Sequence, residues 1–131
     1  MLETICHQGE VLAYLIRGKT LPTQTTFSTP DDSPLQVGHI SYPAGGEVAR
    51  HFHRPVDRQL TVTGEVFLVQ KGACSVDVYV DGPIRGATLE LSTGDTVIFV
   101  GGGHGMRMHQ DTVLLEIKQG PYGGPEEKEL F

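Results

Sequence analysis

Ser75-Val76-Asp77-Val78-Tyr79-Val80 alternates apolar and polar positions along its length, and a period of two gives the chain one buried face only as a β-strand. Turns bracket the run and its successor: Asp81-Gly82-Pro83 follows it at once, and Ser92-Thr93-Gly94-Asp95 closes the next stretch. Seventeen glycines and eight prolines cut the rest of the chain into similar short runs rich in Val, Ile, Thr, Tyr and Phe. No run keeps a helical period for long. The pattern predicts strands over 10–16, 36–42, 47–53, 65–70, 73–80, 87–91, 96–100, 106–109 and 113–118. Strands at intervals of about 8 to 12 residues point to an all-β sandwich or barrel rather than to parallel βαβ units. The Thr-, Ser- and Pro-rich segment 20–34 reads as a loop or irregular edge, and the tail from Gly120 as extended chain or one helical turn.

A chain of 131 residues is one domain, long enough to bury a core without disulfides or a structural metal. Sixteen acidic against ten basic side chains give a formal charge of -6. With Arg50, Arg54 and Arg58 scattered rather than clustered, nucleic acid and anionic membrane are excluded as partners. No apolar run approaches the ~20 residues of a membrane span. The start, Met1-Leu2-Glu3-Thr4, lacks the basic-then-apolar plan of a signal peptide, so a cytoplasmic protein is expected. Cys6 and Cys74 have no CxxC spacing and read as buried, reduced thiols. Val11-Leu12-Ala13-Tyr14-Leu15-Ile16 is apolar on both faces, which predicts a homodimer that buries this strand.

Chemistry concentrates elsewhere. In a strand, His51-Phe52-His53 would point two imidazoles to one side, as two ligands on one metal ion require. Glu65 shares its face with Phe67 and Val69, and so heads an apolar, inward-looking row. His104 follows Gly101-Gly102-Gly103 and heads a second such row with Met106 and Met108. Three imidazoles and a carboxylate make a ligand set for a divalent ion. His7, His39 and His109 lack such company and read as surface or hydrogen-bonded histidines.

These residues carry a resemblance. Gly45, five residues, His51-Phe52-His53, then Glu65, six residues, Gly72 resembles the first cupin motif; Gly94-Asp95, eight residues, His104 resembles the second. The resemblance implies a double-stranded β-helix, the cupin jelly-roll barrel, as a single domain over 1–131 with its core at about 36–122. It implies His51, His53, Glu65 and His104 as metal ligands. Glu116-Ile117-Lys118-Gln119-Gly120-Pro121-Tyr122 is similar to the closing segment of the WbuC-type cupin-fold metalloproteins, associated with bacterial polysaccharide gene clusters. From that likeness Glu116, Lys118 and Tyr122 become candidate catalytic residues of the pocket. Two departures stand out. Eleven residues separate His53 from Glu65, more than the family usually places there, which keeps Asp57 and Gln59 as alternative donors. Val100-Gly101-Gly102-Gly103 replaces the usual proline of the second motif.

A site of this kind leaves positions open on an octahedral ion, and its borderline ligands suit Fe, Mn, Ni, Co or Zn. The expected function is a metal-dependent enzyme acting on a small polar molecule such as a sugar derivative or hydroxy acid, by isomerase- or epimerase-like Lewis-acid chemistry. The alternatives are an Fe(II)-dependent dioxygenase and a non-catalytic module that binds a small ligand such as a carbohydrate.

Overall fold

The alternating run does become a strand, one of ten. The computed structural model describes residues 2–131. Its strands are β1 (Leu2–His7), β2 (Glu10–Ile16), β3 (Thr26–Phe27), β4 (Gly38–His39), β5 (Glu65–Lys71), β6 (Ala73–Asp81), β7 (Ile84–Ser92), β8 (Thr96–Phe99), β9 (Gly103–Met108) and β10 (Val113–Lys118). A 3-10 turn at Pro125–Glu127 follows, and there is no α-helix among the described residues. None of those residues forms a helix long and apolar enough to cross a membrane.

All strand pairings are antiparallel. A five-stranded sheet has the order β1-β2-β8-β5-β10, a three-stranded sheet the order β7-β6-β9, and β3 with β4 makes a two-residue ladder. The core lies between the two larger sheets. Leu12, Leu15, Val69, Val97 and Phe99 from the first pack into one cluster with Cys74, Val76, Val78 and Leu91 from the second. Burial of each such large side chain contributes about 1.5 to 3 kcal/mol. Of the two cysteines expected to be buried, Cys6 is exposed on the edge strand β1, while Cys74 is a packing residue whose thiol burial pushes above the usual cysteine range, with the Glu90 charge acting the same way.

The outer face of the five-stranded sheet is covered by the chain itself. Leu35 and Val37 close over Tyr14, Ile98 and Val100. Their loop is tied down: the Ser28 N–H donates to the Val37 carbonyl at 2.8 Å, the Val37 N–H to Thr29 Oγ1 at 3.0 Å, and Gln36 Nε2 to the Pro30 carbonyl at 2.8 Å. Leu12, Ala13 and Leu15 are thus buried in the core between the sheets, and Tyr14 beneath this loop. The strand expected to need a second copy has its cover within one chain.

Several boundaries differ from the sequence reading. β1 was not expected, because neither of its faces is consistently apolar; as an edge strand it needs only β2. The strand predicted over 36–42 shrinks to Gly38–His39, and the one over 47–53 does not form. The reason is visible in its two faces. Val48 and Phe52 share a side with Arg50, while Ala49 shares the other with Glu47, His51 and His53, so burying either face would bury a charge. Residues 40–64 instead run without regular structure, and Phe52 is 100% exposed.

Candidate functional site

Register brings two of the four proposed ligands together. Glu65 opens β5 opposite Phe99 of β8 on one side and Lys118 of β10 on the other. Its row, with Phe67 and Val69, looks inward as the alternation predicted. β9 starts three residues earlier than expected, at Gly103, and pairs His104 with Val78 and Met106 with Val76. His104 thus sits on the core face at the end of the second sheet. The two side chains meet across the mouth of the sandwich, His104 Nε2 to Glu65 Oε2 at 3.0 Å.

The surroundings fix both groups. The His104 ring stacks on Phe99 with centroids 3.9 Å apart and planes 11° from parallel, and presents an edge contact to Phe67 at 6.0 Å. Glu65 is only 8% exposed. Its second oxygen lies 4.0 Å from Lys118 Nζ, which also reaches Glu116 Oε1 at 3.5 Å. Burial holds His104 below the usual histidine value; Glu65 opposes this, Lys128 adds to it, and Glu116 opposes it again. Burial therefore favours the neutral imidazole over the imidazolium.

A cavity of about 870 Å³ opens at this mouth. Glu65, His104, Phe99 and Lys118 line it, together with Tyr122 and Tyr79. Gly102 closes one side with φ +62°, and a Cβ there would lie 2.2 Å from the Tyr79 carbonyl oxygen, so the backbone turns where only glycine fits. Residues 127–131 form another wall, with the Phe131 ring edge-on to Tyr79 at 5.1 Å. Neither residues 127–131 nor Tyr79 is a site candidate in the sequence. Tyr79 falls on the same side of the alternating run as Ser75 and Asp77, and the tail carries no periodic signal at all.

Of the candidate catalytic residues, Lys118 and Tyr122 line the cavity, the ammonium 6.0 Å from the centre of the Tyr122 ring. Glu116 joins them through Lys118 rather than through the cavity wall. His51 and His53 form a pair of their own. Their ring centroids lie 5.0 Å apart at 72°, and His51 Nδ1 donates to the Ala49 carbonyl at 2.7 Å. That bond leaves Nε2 as the lone-pair nitrogen, the tautomer a metal ligand requires. This pair is exposed on the irregular 40–64 segment, and Asp57 and Gln59 are exposed on the same segment. Among the described residues no three His, Cys, Asp or Glu side chains are gathered as they would be around one ion. By donor type the residues fit a borderline divalent metal; by position they are two pairs.

No protein family, curated protein or solved structure matches the chain.

Proposed function

We infer that this chain is a metal-binding β-barrel protein of the cupin type, a double-stranded β-helix, that acts on a small polar molecule in the mouth cavity. The observation that carries the reading is the meeting of Glu65 and His104, from opposite sheets, at the floor of that cavity. A buried carboxylate beside a neutral imidazole, with one ammonium 4.0 Å away, is costly to keep in a structural role. A functional role accounts for it. Glu65 and His104 would hold a divalent ion, with His51 and His53 as the further donors. Such an ion supplies Lewis acidity toward a carbonyl or hydroxyl of the bound molecule.

The chain's own residues supply the rest. His104 is held neutral by burial, so no charge must be lost before its nitrogen ligates. Phe99 fixes the plane of the ring. Lys118 lines the cavity, where its ammonium can donate a proton to an oxygen of the bound molecule, while Glu116, off the wall, orients that ammonium from 3.5 Å. The Tyr122 hydroxyl offers a second proton donor at the cavity rim. A non-catalytic ligand-binding module is the second reading, favoured by the separation of the two histidine-bearing segments.

The test is metal content by mass spectrometry after anaerobic purification, for the wild type and for a His51→Ala, His53→Ala double variant. About one divalent ion per chain in the wild type and little in the variant is the expected result. A wild type that holds no metal even after reconstitution overturns the metal reading and leaves the binding module. Full retention by the variant removes His51 and His53 from the ligand set. Oxygen uptake by iron-loaded protein in the presence of the bound molecule would replace isomerisation with dioxygenase chemistry.

A further inference from the structure

β10 is the last strand of the five-stranded sheet, and its outer edge is unpaired. Its two faces are used differently. Leu114 packs against the core, and Glu116 and Lys118 on that side interact with each other at the mouth. The other face carries Val113, Leu115 and Ile117, which are 50%, 42% and 60% exposed. Half-buried Val66 and Leu68 continue this apolar stripe onto β5. The loop that covers Tyr14 and Ile98 with Leu35 and Val37 covers the other end of the sheet. Charge sits only on the inner face, as Glu116 and Lys118, and a proline-free edge strand with an open, uncharged apolar outer face is what natural sheets avoid leaving to solvent.

The backbone says what kind of cover fits. The Gln119 N–H donates to the Gly64 carbonyl, so by alternation the ladder groups of Leu115 and Ile117 also turn toward β5. Those of Leu114, Glu116 and Lys118 then face outward and call for another strand. We propose that a second copy of this chain supplies it, two β10 strands pairing antiparallel about a two-fold axis at Leu115 to make one continuous ten-stranded sheet.

Three features select this occupant and this register. A two-fold axis at Leu115 sets Leu115 against its own copy and Val113 against Ile117, so every exposed apolar side chain meets another. The neighbouring register, centred on Glu116, would set Glu116 against Glu116, two like charges directly opposite. Head-to-tail growth through the sheet's other edge is disfavoured, because β1 presents exposed Glu3, Thr4, Cys6 and His7, with Glu3 tied to Arg17 at 3.3 Å. The pairing closes at two copies. It also steadies the strand that carries Glu116 and Lys118, although it does not depend on what the cavity binds.

The test has an association arm and a register arm. Light scattering at tens of micromolar should give a dimer for the wild type and a monomer for Leu115→Lys, with an unchanged circular dichroism spectrum. In a Cys6→Ser background, Leu115→Cys should cross-link to itself on mild oxidation, since opposed residues of a non-hydrogen-bonded pair stand about 4.5 Å apart at Cα, within reach of a disulfide. Val113→Cys and Ile117→Cys should cross-link when mixed and not when separate. A monomeric wild type, whether or not another protein covers the strand in the cell, overturns the proposal. So does a dimer that survives Leu115→Lys, or cross-linking of Leu115→Cys with Ile117→Cys in place of the expected pairs.

Discussion

Glu65→Ala is expected to weaken divalent-metal binding roughly 100-fold or more while leaving the fold intact. The side chain is buried at the mouth, 3.0 Å from His104 Nε2, and lies near the ammonium of Lys118. Removing it takes away the carboxylate that stands 3.0 Å from the His104 ring. The structural loss is small by comparison. Among the described residues no backbone N–H donates to the Glu65 carboxylate, and its ion pairing offsets the desolvation of a buried charge only in part. The expected outcome is therefore a split between two readouts: titration with Zn(II) or Mn(II) shows lost affinity, and the thermal midpoint moves by no more than a few degrees. Unchanged metal affinity would remove Glu65 from the site. A collapse of the midpoint together with binding would make it a structural residue.

The same residue shows how far the sequence could be read. Glu65 and His104 were legible because each heads an alternating apolar row, and a period of two fixes which side of a sheet a residue takes. Parity predicted that both look inward, and the register that joins β5 to β8 and β6 to β9 brings them within 3.0 Å. His51 and His53 share a side as their spacing implied, with rings 5.0 Å apart. Their strand does not form, since each face of 47–53 mixes apolar residues with charge or imidazole. Spacing carries the local pairing of side chains; it says nothing of whether a sheet edge will accept the segment. The walls contributed by Tyr79 and Phe131 were out of reach for a similar reason. A tail without periodicity takes its place from the surface it lands on.

For the fold, the strands that bury one clean face were found, and those that do not were missed or overdrawn. β2, β5, β6, β8 and β10 lie within a residue of where alternation or continuous apolarity put them. β1 was overlooked because Leu2 and Ile5 fall on opposite faces by simple parity; the register shift between Ile5 and Cys6 belongs to the same irregularity. The apolar strand β2 was read correctly as buried on both sides. What covers it was not legible, because Leu35 and Val37 belong to a segment whose placement depends on the Thr29 and Gln36 side-chain hydrogen bonds.

Asp95→Ala is expected to lower the unfolding free energy by about 3 to 5 kcal/mol, a fall of about 10 to 20 °C in midpoint for a domain of this size. The Gly94-Asp95 pair marks a turn in the sequence, and the structure gives it a second task. Asp95 Oδ1 accepts the Gly18 N–H at 3.0 Å, while Oδ2 accepts the Ser92 N–H and Arg17 Nη1, each at 3.0 Å. One buried carboxylate thus ties the end of β2 to the turn between β7 and β8. The clamp fits because Gly18 has no side chain: a Cβ there would stand 2.3 Å from the Gly94 carbonyl oxygen. Alanine at 95 leaves two backbone donors unsatisfied and one guanidinium without its buried partner. Burial pushes the Asp95 pKa up, but the bonds from Ser92, Gly18 and Arg17 together outweigh it and hold the group below the usual aspartate value. The unfolded chain therefore takes up this proton first on acidification. The charged clamp contributes in full above the unfolded pKa of about 3.9, and its contribution is lost as pH falls from there through the folded value. Urea unfolding at pH 6 and pH 3 checks this: wild type should lose more stability between the two than Asp95→Asn, which keeps an acceptor but cannot titrate. Equal losses in the two proteins would mean that Asp95 is not what makes the fold acid-sensitive.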